Sequence, residues 1–237
     1  MKIAVVIPAY NEALRIGSVL KDIPPVLDGH DVIKVVVDDG SKDQTSKIAK
    51  SIEGVLVFRH RTNLGKGAAA KTGCDAAIKL KVDAIVLMDG DGQHCPSEII
   101  KIARPVIGSK KPLLVVGKRS KSKEMPLTMR FGNATLSKLT KVFFKINVED
   151  TQSGFRCFHT SIYPHIRWNS ADYGMETEML ILASHNKIAH KEVKIKTIYH
   201  DSYKGTTAVD GLRVLIMLLK WRLLWSREYK RLESYSA

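Results

Sequence analysis

The sequence predicts an α/β protein with a mainly parallel central sheet covered by helices on both faces. Three observations lead there. Short β-branched runs alternate with longer helical stretches through the first half of the chain. Those runs are continuously apolar rather than alternating, as strands buried on both faces are. With 237 residues, 44% hydrophobic and 26% charged, the chain can bury one large core with at most a small appendage. No Pro/Gly/Ser-rich block, single-sign charge block or internal repeat divides it.

The first strand, Ile3–Pro8, follows Met1-Lys2 directly and is too short for a signal peptide or membrane span. A helix over Glu12–Ile23 comes next, then strands Ile33–Asp38 and Val55–Arg59 on either side of a helix over Gln44–Ile52. An alanine-rich helix over Gly67–Leu80 leads into strand Ala84–Asp89, and a helix over Ser97–Val106 into strand Leu113–Gly117. The second half is less regular. Met129–Lys145 reads as a helix with Phe131, Leu139, Val142 and Phe143 on its apolar side, and Asp150–Phe158 as a turn and a strand. A helix over Gly174–Asn186, an alternating strand over Glu192–Tyr199 and a final apolar helix over Asp210–Arg227 complete the chain.

A formal charge of +14 favours anionic company: nucleic acid, phosphorylated substrates or an anionic membrane surface. Lysines on solvated helix faces would give the same sign. Cys74, Cys95 and Cys157 form no CxxC pair, which argues against a disulfide framework or zinc site and for a reducing compartment. His60, His94, His185, His190 and His200 lack HExxH spacing, and no GxSxG elbow is present.

The chemistry gathers at strand ends. Pro8-Ala9-Tyr10-Asn11-Glu12, Asp38-Asp39-Gly40-Ser41 and Asp89-Gly90-Asp91-Gly92 each follow a predicted strand. Ligands of open α/β sheets bind beyond the carboxyl ends of strands, so the three clusters should converge. Asp89 and Asp91, separated by Gly90, can aim oxygens at one hard cation, Mg²⁺ or Mn²⁺, that bridges a diphosphate; an acidic turn would look the same. Gln93 and His94 stand close enough in sequence to add a ligand or meet phosphate oxygens. Asp38 or Asp39 can accept hydrogen bonds from a base or ribose, while Ser41 or Asp43 caps the following helix. Asn63-Leu64-Gly65-Lys66-Gly67 puts glycines and Lys66 at a helix start suited to an anion, without P-loop spacing. Arg119, Arg130 and Arg156 carry guanidinium forks that suit phosphate.

Read in order, VIPAYNE (Val6–Glu12), VVDDGSKDQT (Val36–Thr45), NLGKG (Asn63–Gly67), MDGDGQH (Met88–His94) and DTQSGFR (Asp150–Arg156) resemble the family 2 glycosyltransferases. Within that family the resemblance is to the polyprenyl- or dolichyl-phosphate sugar synthases. It implies a Rossmann-like GT-A fold and an inverting transfer of a hexose from a UDP- or GDP-sugar. It sets Pro8, Tyr10 and Glu12 against the nucleotide and Asp39 (or Asp38) near the base. Asp89, Asp91 and Gln93 would hold metal and diphosphate, and Arg119 and Arg130 would receive the acceptor phosphate. Ser153, Gly154 and Arg156 would line the same cleft; Glu176 and Glu178 fall where the family often carries an acid near the sugar. Two features depart from the pattern. The chain shows no C-terminal membrane spans such as many relatives carry, and the family's late Ser-Lys pair is only loosely matched in Ser202–Thr207.

A phosphate acceptor, whose second pKa is about 6, needs no general base; with a hydroxyl acceptor, Asp91 or Glu178 would have to serve. The expected organisation is a catalytic domain over 1–205 and a helical C-terminal segment over 206–237. Leu212–Trp225, with Arg213, Lys220, Arg222 and Arg227, could meet the cytoplasmic face of a membrane, or pack as a core or dimer helix. A soluble sugar or protein acceptor is the alternative. A nucleic-acid binder is disfavoured by the acidic loop, and a nucleotidyltransferase by the lack of a glycine-rich loop between Pro8 and Glu12.

Overall fold

The computed structural model describes residues 1–119, 127–172, 174–198 and 215–222, with the side chains of 127–134 left out of that description. Its centre is one sheet built from β1 (Lys2–Ala9), β2 (Val26–Leu27), β3 (His30–Asp38), β4 (Val55–Arg59), β5 (Ala84–Leu87), β6 (Leu113–Arg119), β7 (Arg156–His159) and β8 (Ala189–Ile195). The order is β2-β3-β1-β5-β7-β6-β8, with β4 pairing the outer edge of β3. The pairs β1–β3, β1–β5, β3–β4 and β6–β8 are parallel. The fold is thus mixed α/β with a mainly parallel sheet.

The helices are α1 (Ile16–Asp22), α2 (Thr45–Lys50), α3 (Lys66–Lys79), α4 (Ile99–Ile107), α5 (Leu127–Phe144), α6 (Tyr163–Ile166) and α7 (Met175–His185). They make two cores, one on each side of the sheet. Ala4 and Val6 of β1 face the core shared with α3 and α7, whereas Ile3, Val5 and Ile7 face that shared with α1 and α4. Successive strand side chains point to opposite faces, so a strand buried on both must be apolar throughout. Close helix–sheet contact has a local cause at Gly73 of α3, where a Cβ would stand 2.4 Å from Val6 Cγ1.

The structure departs from the sequence expectation in several places. β7 runs antiparallel, inserted between β5 and β6. It reverses the chain so that the DTQSGFR turn lies against the β5 loop. The short β2 goes unread in the sequence; it pairs with β3 across Asp28-Gly29, whose φ values of 46° and 78° make the left-handed corner of a two-residue hairpin. Helix α1 begins at Ile16 rather than Glu12, because the Glu12 carbonyl takes the N–H groups of Arg15 and Ile16 in a preceding turn. β8 begins three residues earlier than Glu192, in register with β6 from Leu113↔Ala189 to Arg119↔Ile195.

Of the expected final helix, 215–222 are helical; Leu218 is fully buried, and Leu215, Met217 and Trp221 pack on the first core. Ser202–Thr207, Arg213, Trp225 and Arg227 lie outside the described residues. No helix among the described residues is long and apolar enough to cross a membrane.

Candidate active site

Parallel strands β1, β3 and β5 end at the same edge of the sheet, and the residues that follow them border a cleft of about 330 Å³. The structure brings Pro8, Tyr10, Glu12, Asp39, Lys66, Asp89, Gly90, Asp91, Gln93 and Arg119 onto its walls. The last bond of β5 to β1 runs from the Met88 N–H to the Val6 carbonyl at 3.1 Å, and Asp89–Asp91 turn out of the sheet beyond it. Gly90 lets that turn lie on β1: a Cβ there would meet Ile7 Cγ2 at 3.2 Å and Ala9 Cβ at 3.3 Å.

Three elements meet at one ammonium. Lys66, in the first turn of α3, places Nζ 2.7 Å from Asp89 Oδ1 and 2.9 Å from Glu176 Oε1 on α7. Burial works against a charged Lys66, but Asp89 and Glu176 outweigh it and raise its pKa. Burial likewise disfavours ionised Asp89, yet Lys66 above all, with Arg119, holds that carboxyl below its ordinary value. Asp91 goes the other way: burial and the neighbouring Asp89 charge push it up. His94 is fixed rather than available at Nδ1, which accepts the Asp89 backbone N–H at 3.0 Å while the ring stacks on Phe155 at 4.9 Å. Burial lowers its pKa, in keeping with a neutral imidazole.

This donor set fits a hard divalent cation shared with a ligand. Among the described residues no group of three or more His, Cys, Asp or Glu could hold a metal by itself. Mg²⁺, however, is commonly bound by one or two carboxylates together with substrate phosphates. Two crowded carboxylates, one with its pKa raised by burial and then by like charge, are what such a cation relieves.

Other expected residues are placed differently. Asp38 is fully buried and not on the cleft wall; its Oδ1 accepts the Ser41 N–H at 2.9 Å and its Oδ2 faces Arg59 Nε at 3.3 Å. Consecutive residues leaving a strand point opposite ways, so only Asp39 meets the cleft. Arg156 is also wholly buried, donating from Nε to the Ser153 carbonyl (2.9 Å), from Nη1 to that of Glu176 (2.6 Å) and from Nη2 to that of Thr151 (2.8 Å). It braces the cleft instead of lining it. Burial lowers its pKa to about 10 despite Glu176, Asp150 and Asp89, leaving it charged at neutral pH.

Glu178 is tied to the backbone N–H groups of Asn169 (2.8 Å) and Ser170 (2.9 Å) and to the Ser170 hydroxyl. Residues two apart on a helix face different ways, and here Glu176, not Glu178, faces the cleft. Arg119 reaches the cleft with one guanidinium edge clamped by Asp150, at 2.7 and 2.8 Å. Arg130 sits in the first turns of α5, with its side chain outside the described residues.

The sequence reading passed over Gln152, Asp172 and His60. Gln152 lines the cleft and donates to Thr177 Oγ1 at 2.7 Å. Asp172 belongs to a strap that Glu178 and the Ala68 N–H···Ala171 carbonyl bond (3.0 Å) hold over the start of α3. An irregular segment of this kind leaves no periodic signal. Gly154 is legible in the DTQSGFR motif, but its reason is tertiary: a Cβ would lie 2.8 Å from both Asp89 Oδ2 and Lys66 Nζ. Gly154→Ala should therefore displace the ion pair and lower turnover about a hundredfold with the unfolding midpoint nearly unchanged, measured by label transfer and thermal denaturation.

A mainly parallel sheet of this order, with paired carboxylates after β5 bordering a nucleotide-sized cleft, is the architecture of a GT-A glycosyltransferase. Comparison with known proteins narrows the class. The chain matches Glycosyl transferase family 2 over residues 4–166 and belongs to that family. It is 36% identical to the UDP-N-acetylglucosamine–dolichyl-phosphate N-acetylglucosaminyltransferase of Methanococcus voltae, over 93% of this chain and 96% of that protein. An uncharacterized protein of Methanocaldococcus jannaschii is 38% identical, over 94% and 93% respectively. Among solved structures, glucosyl-3-phosphoglycerate synthase of Mycobacterium tuberculosis, one form of which holds Mn²⁺ and UDP-glucose, shares the fold. That form has a TM-score of 0.72 and 21% identity, over 93% of this chain and 78% of that one.

Proposed function

We propose that this glycosyltransferase moves a sugar, with inversion, from a nucleoside-diphosphate sugar to a polyprenyl or dolichyl phosphate at a membrane surface. The observation that carries the reading is the Asp89–Lys66–Glu176 cluster beside Asp91 on the cleft wall. Asp89, Asp91 and the Gln93 side chain are the groups that would hold a Mg²⁺ or Mn²⁺. When bound, that cation supplies neutralisation of the departing nucleoside diphosphate. Lys66 keeps a second positive charge where the diphosphate would lie, and Pro8, Tyr10, Glu12 and Asp39 border the room for the nucleoside.

The acceptor side agrees with a phosphate nucleophile. Of the two acids that could serve a hydroxyl acceptor as base, Asp91 and Glu178, the second is tied to the Asn169 and Ser170 N–H groups. A phosphate monoester is largely dianionic near neutral pH and attacks the anomeric carbon without losing a proton to the protein. Arg119 and Arg130 are the cations assigned to orient it, acting through position and charge. The Methanococcus voltae relative, named for a dolichyl-phosphate acceptor, supports the same choice. The protein would meet the cytoplasmic face of the bilayer peripherally: Ile216 and Leu219 are 45% and 44% exposed on helix 215–222, with Lys220 and Arg222 exposed beside them. Each such cation near an anionic leaflet adds about 1 kcal/mol.

Radiolabel from a nucleotide sugar is expected to enter the organic phase only when polyprenyl phosphate and a divalent cation are present. Chelation with EDTA should reduce transfer at least about a hundredfold, and Mg²⁺ or Mn²⁺ should restore it. Label that stays aqueous with the lipid acceptor, yet passes to a soluble sugar or protein, would exclude the lipid reading.

A further inference from the structure

We propose that the outer edge of β4 seats a second copy of this chain, paired antiparallel about a twofold axis at Val57, so that one sheet runs through both copies.

The two sides of the sheet end differently. β8 closes one side and carries exposed Lys191 and Lys194, charges of the kind that keep an edge strand from pairing with another chain. On the other side β4 lies outside β3, and its Val55–Arg59 run holds neither lysine nor proline. Among the described residues no strand pairs with its outer edge. The side chains of β4 alternate. Val55 and Val57 pack on the second core, whereas Leu56 and Phe58 stay 39% and 40% exposed. Those two stand in register with Val35 and Val37, on the α3 side of the sheet.

Backbone direction and sequence together select the occupant. The His60 N–H donates inward to the Asp38 carbonyl at 2.9 Å, and the polar groups of alternate residues point to opposite edges. Leu56 and Phe58 share the inward direction of His60, so the N–H and C=O groups of Val55, Val57 and Arg59 point outward. An antiparallel neighbour bonds such residues in facing pairs. With Val57 opposite the partner's Val57, Val55 faces the partner's Arg59, and every outward group finds its complement. The same register sets Leu56 across from the partner's Phe58, and Phe58 across from the partner's Leu56. Each pair covers apolar surface that a single copy leaves in water. Just beyond the strand ends, the exposed Glu53 and Arg61 come beside the partner's Arg61 and Glu53, so opposite charges meet at both ends. The strand is its own complement.

The axis also suits a shared surface. It stands perpendicular to the sheet and keeps each face on its own side. The first core, and the helix 215–222 packed on it, therefore lie on the same side in both copies. One membrane surface can meet the pair, although the pairing does not depend on a membrane.

The test is sedimentation velocity of the full chain from about 1 to 200 µM. The unaltered protein should pass from monomer to dimer with a Kd of about 10 µM, as a small strand-built interface allows. Leu56→Lys combined with Phe58→Lys sets like charges across the axis and should raise Kd at least about thirtyfold. Val57→Pro removes an outward N–H that the monomer does not use in its ladder, and should raise Kd about tenfold in a chain still folded by circular dichroism. Glu53→Arg should weaken the dimer about threefold. Adding Arg61→Glu to it should return Kd to within about twofold of the original, a rescue that belongs to a second copy in this register. Should Val57→Pro fail to fold, the lysine pair, made at exposed positions, carries the test. A monomer throughout the range overturns the proposal, as does a dimer unmoved by the lysine pair or by a folded Val57→Pro, or a charge swap without rescue. Capture of a different protein at β4 by a chain that stays monomeric overturns it too.

Discussion

Asp89→Asn is expected to lower kcat by about a thousandfold or more, roughly 4 kcal/mol of lost transition-state stabilisation. The substitution preserves shape and leaves an oxygen for Lys66 Nζ, which now stands 2.7 Å from Oδ1. What disappears is the negative charge that, with Asp91, would secure a divalent cation against the diphosphate. Affinity for nucleotide in the presence of Mg²⁺ should fall with turnover, because the same cation serves both. The unfolding midpoint should move little, since Lys66 keeps Glu176 at 2.9 Å. Steady-state transfer and nucleotide calorimetry on one preparation separate these effects. Turnover that survives both Asp89→Asn and Asp91→Asn would remove the metal from the mechanism.

Arg156→Met should have the largest effect on stability, about 3–5 kcal/mol in chemical denaturation. The guanidinium is fully buried and donates to three backbone carbonyls, of Thr151, Ser153 and Glu176. Removing it strands those acceptors where water does not reach them. It also leaves the Gln152–Thr177 hydrogen bond to hold the Thr151–Ser153 turn to the start of α7, and both border the Asp89–Lys66 pair. Arg156→Lys should recover little, because one ammonium cannot reach three carbonyls in diverging directions. An unfolding midpoint equal to that of the unaltered protein would show that the brace is dispensable.

How far the site could be read from the chain differs from residue to residue. Asp89 and Asp91 were legible because two acids around a glycine after an apolar run have few local alternatives. Lys66 was legible as an anion-binding cation, but its partners come from β5 and α7, far away in sequence. Asp38 and Asp39 were not separable, since either can follow the strand; the fold buries Asp38 against Ser41 and Arg59 and leaves Asp39 on the cleft wall. Glu176 and Glu178 were equally open, and the strap over α3 takes Glu178. His60 had no signal, because its meaning lies in a carboxylate and a hydroxyl delivered by other elements.

The chain by itself determined the alternation of strand and helix, the two-sided burial of the sheet and the chemical types gathered at its strand ends. These are local properties, set by hydrophobic periodicity and by the few residues that permit a turn. Tertiary structure alone decided the antiparallel insertion of β7, the face each acid presents and which polar groups are already spent on the fold. A buried charge must find its partners wherever packing brings them, so the residues left free for a ligand emerge only once all the others have been paired.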